Sequence, residues 1–254
     1  MIDDSKFITD DFRNTVQSGV SKGKPITFTT YVLGDSGEAK VKFIIQTILD
    51  KFDRSDLMEL IYTACKELVV NSTKAAIKRI LFKELNIDSD DVEEYEKGML
   101  SFKVNLSDKK FPYYKEKMKS GNLSVQIKFF YNKDRLIVNV INNFPLLKKE
   151  ENRIREKFVM AKSFDNLFEF YTQHGDNTEG AGMGITLVEI LIAQCGLDRH
   201  LFTIFTSLKK NETIARIEIP LSTKYKPRRS IFDEILSNNH IPKEKLRNEW
   251  SYFK

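Results

Sequence analysis

The sequence predicts an α+β protein, a two-layer sandwich in which a mixed, mostly antiparallel sheet is covered by helices. Three observations carry this. The strand-like segments after the first come as adjacent pairs joined by short turn-forming stretches, as antiparallel hairpins do. Helical segments lie between these pairs, and the first strand is followed by two helices in succession, which does not fit simple βαβ alternation. With 254 residues, 41% hydrophobic and 30% charged, the chain can bury a sizeable core.

Residues 1–24 read as a polar lead-in. "ITFTTYV" (26–32) alternates β-branched and aromatic residues and reads as a strand, broken by "GDSG" (34–37). "EAKVKFIIQTILDKF" follows as a helix with Val41, Ile44, Ile45, Ile48 and Leu49 on one face. "DRSD" (53–56) offers cap residues for a long helix over residues 57–85. Residues 86–121 read as a charged insertion containing a short helix and a loop. "NLSVQIKFFYN" and "DRLIVNVINNF" form a hairpin turning at residues 132–134. A helix over 146–164, a polar glycine-rich loop, and the helix "MGITLVEILIAQCG" ending at Gly196 come next. A second hairpin turns at "KKNE" (209–212), and the tail from residue 222 carries further helix. The resulting division is a lead-in (1–24), a main domain (25–221) and a C-terminal helical extension (222–254).

Composition excludes several classes. No apolar run approaches the roughly 18 residues of a membrane span, and the acidic start "MIDDSKFITDD" is not a signal peptide, so a cytoplasmic protein is expected, with no membrane partner. Cys65 and Cys195 both fall in apolar helical patterns and are expected to be buried, reduced thiols. The net charge of +5 is concentrated partly in "KYKPRR" (224–229) and "KRILFK" (78–83). Both runs read as solvated faces, and nucleic acid is not an expected partner.

Two features carry chemistry. Glu67, Asn71 and Lys74 share one helix face at i, i+4 and i+7 and interrupt the apolar stripe of Leu60, Ile61, Ala64, Leu68 and Ala75. An amide oxygen can ligate a hard cation such as magnesium, a carboxylate can orient or deprotonate an attacking group, and a lysine can meet a phosphate as a point charge. In "EGAGMGITLVEIL", Gly180, Gly182 and Gly184 directly precede an apolar helix. Glycines allow close backbone approach to a phosphate, and the helix N-terminus offers unpaired N–H groups. Neither a Walker loop nor a dinucleotide fingerprint is matched.

In this order the two features resemble the GHKL superfamily, the ATPases that include sensor histidine kinases, anti-sigma-factor serine kinases, gyrase, Hsp90 and MutL. "KELVVNSTKAAIKR" looks like its N box, "EGAGMGITLVEIL" its second glycine box, and "NETIARIEIPL" its closing strand. The resemblance covers about residues 26–221 and implies the Bergerat ATP-binding fold with ATP and Mg2+ as cofactors. It implies that Glu67 is the general base or water-positioning carboxylate, Asn71 the magnesium ligand and Lys74 a phosphate neighbour. It likewise implies that Gly180, Gly182 and Gly184 wrap the phosphates, that Thr213 borders the adenine pocket, and that residues 171–180 form a short lid. The first glycine box departs from the pattern. "LIVNVINNFPLL" puts Asn142 where the adenine-binding aspartate stands, and Phe144 and Leu146 where glycines admit the nucleotide. Asn142 can still accept through its amide oxygen, weaker than a carboxylate by about 1 kcal/mol, roughly five- to tenfold in affinity.

The layout resembles the anti-sigma-factor kinases, which implies a protein partner of the sigma-factor, antagonist or response-regulator type and a homodimer. The alternative is a degenerate GHKL module that regulates by protein interaction without turnover.

Overall fold

The structure, a computed structural model, describes residues 4–106, 110–174, 183–239, 242 and 244–246. Its sheet has five strands: β1 (Ile26–Thr30), β2 (Val125–Tyr131), β3 (Arg135–Asn142), β4 (Phe202–Ser207) and β5 (Glu212–Pro220), in the spatial order β1-β2-β3-β5-β4. Every pairing is antiparallel, which corrects the expectation of a mixed sheet. The reason is the position of β5. Strands β3 and β4 run the same way, but β5 lies between them, pairing Asn142 with Thr213 and Thr206 with Thr213 at the same end.

Alternation places one face of the sheet in the core. Val125, Ile127 and Phe129 of β2, Leu136, Val138 and Val140 of β3, and Ile217 and Ile219 of β5 are almost fully buried. The intervening residues Gln126, Lys128, Asn139 and Arg216 point to the other side, as a period of two requires. The main helix on the buried face is α3 (Met58–Glu84), which follows α1 (Asp10–Ser21) and α2 (Asp35–Lys51). Its inward residues Ile61, Ala64, Cys65, Leu68, Ala76 and Ile77 are all at most 1% exposed and recur at helical spacing. Burial on this scale, at about 25 cal/mol per Å2 of apolar surface, is what holds helix to sheet.

Several features differ from the sequence-based expectation. The lead-in contains α1, capped by the Thr9 hydroxyl accepting from Phe12 N–H at 3.3 Å, with Val16 and Val20 in the core. Two valines four residues apart suffice to anchor it, and Lys51 Nζ donates to the carbonyls of Val20 (2.6 Å) and Ser21 (3.1 Å) at its C-terminal end. The insertion is two helices, α4 (Val92–Asn105) and α5 (Phe111–Ser120), which bury Tyr95, Phe102, Tyr114 and Met118 against α3 and its surroundings. Cys195 is exposed, because it follows the last turn of its helix; Cys65 is buried, and burial pushes its thiol up to about 12.

The remaining helices are α6 (Lys148–Ala161), α7 (Leu167–His174), α8 (Gly184–Gln194) and α9 (Arg228–Asn239). Gly196, at φ +70°, ends α8 in the left-handed region that favours glycine. Residues after β5 return to the sheet through Tyr225, whose hydroxyl donates to Glu218 and accepts from Arg135 at 2.7 Å. Among the described residues, no helix is long and apolar enough to cross a membrane.

Candidate functional site

Helix α3 delivers Glu67, Asn71 and Lys74 to one face, and that face meets the first turn of α8. Gly184 is the first residue of α8, and among the described residues no side chain caps the N-terminus there. Its leading N–H groups lack intrahelical acceptors and carry the positive end of the helix dipole. The contact is close. A Cβ added at Gly184 would stand 2.6 Å from Asn71 Nδ2 and 2.7 Å from Glu67 Oε2, so only glycine fits without displacement. Glu67, Asn71, Lys74, Gly184 and the side chains of α7 enclose a small pocket of about 140 Å3. Among the described residues Asn71 Nδ2 is buried and has no hydrogen-bond partner, a costly state that a ligand oxygen accepting from it would relieve. Gly180, Gly182 and residues 175–182 of the expected lid lie outside the described residues; residues 171–174 belong to α7.

A second cavity, of about 200 Å3, opens on the other side of Asn71 between α3, the sheet and α6. Asn142 and Thr213 line it, together with Phe144 and Leu146. The structure thus brings every described residue expected at the site to one of two adjoining pockets, with Asn71 common to both. It also shows how the departure from the glycine box is built. Asn142 is 3% exposed and donates from Nδ2 to the Ser72 carbonyl of α3 at 3.1 Å. The Thr213 hydroxyl donates to the Phe144 carbonyl at 2.8 Å, and Leu146 N–H donates to the Thr206 hydroxyl at 3.2 Å. Arg79 donates to the Pro145 carbonyl at 3.0 Å and lies over the Phe144 ring at 5.2 Å. Residues 143–147 are therefore a pinned wall, and Phe144 and Leu146 line the cavity without closing it.

The sequence reading missed the far end of this cavity. Lys78, expected on a solvated face, is 8% exposed and pairs with Glu150 of α6. Glu150 also accepts from Arg79 at 2.6 Å and from Leu147 N–H at 2.9 Å. Burial pushes the Glu150 carboxyl up, but the Lys78 and Arg79 cations and the Leu147 N–H outweigh it and hold it below the usual carboxylate range. Tyr95, Arg153 and Lys157 complete that end. The signal available in the sequence was a glutamate three residues after Leu147, a helix-start spacing, but its partner lies 72 positions away.

Comparison with protein-family models gives no match, and no solved structure matches. An uncharacterized protein of Treponema pallidum (strain Nichols) is similar: it is 28% identical over 205 residues, which is 81% of this chain and 39% of that relative. The chain thus spans well under half the length of the protein it resembles.

Proposed function

We propose that this chain is a nucleotide-binding regulator of the GHKL kind, which holds ATP with Mg2+ and acts on a protein partner. The observation that carries this reading is Asn71, whose buried Nδ2, without a hydrogen-bond partner among the described residues, stands where the two pockets meet and would donate to a ligand oxygen. The phosphate side fits. Asn71 and Glu67 adjoin a helix N-terminus that no described side chain caps, Lys74 lines the same pocket, and Gly184 lets the backbone of α8 approach the Asn71 and Glu67 side chains closely. Asn71 would hold the metal, Lys74 and the first turn of α8 would meet the phosphates, and Glu67 would orient the attacking group. The bound metal would neutralise phosphate charge. Together the pockets reach the lower end of small-molecule sites, about 300 Å3.

One observation favours a second reading. Phe144 and Leu146, standing where glycines were expected to admit the nucleotide, line the cavity, and the Thr213 hydroxyl expected at the adenine pocket donates to the Phe144 carbonyl, as they would in a fold kept as a non-catalytic protein-interaction scaffold.

Calorimetric titration with ATP, with and without magnesium, beside an Asn71→Ala variant separates the two. Saturable, magnesium-dependent binding lost in the variant is the expected result. Absence of binding at millimolar ATP overturns the nucleotide reading and leaves the scaffold.

A further inference from the structure

Tyr95 stands where the packing asks only for an aromatic ring. It lies on α4, in the charged insertion, and is 2% exposed. Its ring meets Phe82 of α3 edge to face at a centroid distance of 5.5 Å, and the Lys149 and Arg153 cations lie over it at 5.0 and 5.2 Å. A phenylalanine would keep all of these contacts. The hydroxyl is different: it is buried and, among the described residues, has no hydrogen-bond partner. A buried hydroxyl left in that state costs stability and calls for a reason. Burial raises the hydroxyl above its ordinary range against the pull of Arg153, so it keeps its proton at neutral pH and can donate.

Tyr95 lines the larger cavity next to Lys78, whose Nζ is 5.8 Å from the ring centre. Lys78 lies seven residues beyond Asn71 on α3, about 10 Å along the helix axis at 1.5 Å per residue. A nucleotide with its phosphates at Asn71 and the first turn of α8 would bring the far edge of its base to that end. The wall along the way presents acceptors. Asn142 Nδ2 is committed to the Ser72 carbonyl, which leaves the amide oxygen for a ligand. The Thr213 hydroxyl has given its proton to the Phe144 carbonyl, which leaves its lone pairs. Adenine carries an amino group on this edge, a donor that suits such a wall; guanine carries an oxygen there, which would face other oxygens. Beside the amino group adenine has a ring nitrogen that accepts, and it needs a donor.

We infer that Tyr95 reads the base: its hydroxyl donates to the ring nitrogen beside the adenine amino group, while Asn142 and Thr213 accept from the amino group itself. This rests on the nucleotide reading above and adds to it the selection of adenine over guanine. It also gives the insertion a part in the site, since α4 supplies Tyr95.

The test is a cycle of calorimetric titrations of the full chain in magnesium, wild type beside Tyr95→Phe, each with ATP and with 1-deaza-ATP, which carries C–H in place of that ring nitrogen. Wild type is expected to bind 1-deaza-ATP about tenfold more weakly than ATP, the loss of one hydrogen bond whose partner stays buried. Tyr95→Phe is expected to lose about tenfold for ATP and nothing further for 1-deaza-ATP, because the same bond is missing from either side. GTP is expected to bind wild type more weakly than ATP by about tenfold or more. The melting temperature of free Tyr95→Phe is expected to hold or rise, since the hydroxyl it loses has no partner among the described residues. An equal loss for ATP and 1-deaza-ATP in the variant, a lowered melting temperature with the preference for ATP over 1-deaza-ATP unchanged, or GTP binding wild type as tightly as ATP overturns the inference and leaves the nucleotide reading standing. Failure of wild type to bind any of the three nucleotides removes the nucleotide reading and this inference with it.

Discussion

Gly184 and Asn71 are in contact across two helices, and a single methyl group at position 184 would stand 2.6 Å from the Asn71 amide nitrogen. The same methyl would meet the Glu67 carboxylate at 2.7 Å. The relationship sets where the Asn71 and Glu67 side-chain ends can lie against the N-terminus of α8, and it makes one glycine of the loop measurable on its own.

Gly184→Ala is therefore expected to displace the side-chain ends of Asn71 and Glu67 while α8 stays in place. Displacing two side-chain ends costs about 1 kcal/mol, the low end of overpacking, which lowers the melting temperature by about 2–4 °C in a chain of this size. Thermal denaturation measures that. Magnesium-dependent ATP affinity is expected to fall further than the stability loss alone accounts for, because Asn71 and Glu67 are the atoms displaced.

Asn142→Asp restores the family residue and is expected to harm the protein. Asn142 Nδ2 is a donor to the Ser72 carbonyl; a carboxylate there would face that carbonyl with no proton to share. The cost is about 1–3 kcal/mol for a buried polar group left unsatisfied. Protonation of the new carboxyl restores a donor, so the deficit is expected to shrink as pH is lowered. Denaturant melts at pH 7 and pH 5 check this, and an unchanged deficit would show that the Ser72 contact is not its source.

Removing Glu150 is expected to be severe. Glu150→Ala leaves Lys78 buried without its carboxylate and unties Arg79 and the start of α6, a loss of about 3–5 kcal/mol for a broken buried pair. The pH dependence has a definite sign. The folded-state value of Glu150 lies below its ordinary 4.5, so its contribution is complete above that value and is lost as pH falls through the folded one. The difference between wild type and Glu150→Ala should therefore be largest at neutral pH and shrink in acid.

Glu189 behaves in the opposite sense. It is 2% exposed, Oε2 has no hydrogen-bond partner among the described residues, and burial pushes its carboxyl up to about 6 against the pull of Arg199, Lys162 and His200. Its contribution is complete below the unfolded value near 4.5 and is lost as pH rises through about 6. Glu189→Gln removes the ionisation. Arg199 keeps its bonds to the Ala161 and Phe164 carbonyls at 2.6 and 2.8 Å. The variant is expected to match wild type near pH 4 and to exceed it by about 2 kcal/mol at pH 7, measured by calorimetry across that range.

The sheet and the long helices were legible because their apolar periods are clean: alternation in β2, β3 and β5, and the three-and-four spacing of α2 and α3. Helix α1 was not, since Val16 and Val20 are isolated among polar residues and only their packing on α2 reveals them. Glu67, Asn71 and Lys74 could be read as a group because helical spacing alone juxtaposes them. Lys78 and Glu150 could not, because nothing local links a lysine in a basic run to a glutamate on another helix. The capture of Asn142 by Ser72 was equally hidden, since it depends on where α3 crosses β3.

The position of β5 between β3 and β4 has a consequence for how the chain is made. Residues 135–142 find their second partner only in residues 212–220. Until those residues leave the ribosome, β3 presents an open edge carrying Leu136, Ile137, Val138, Val140 and Ile141, an invitation to pair with another chain. A nascent chain stalled before Glu212 is expected to associate with itself, and one extended past Pro220 to stay monodisperse. Closure over so large a sequence separation also makes the last step of folding slow.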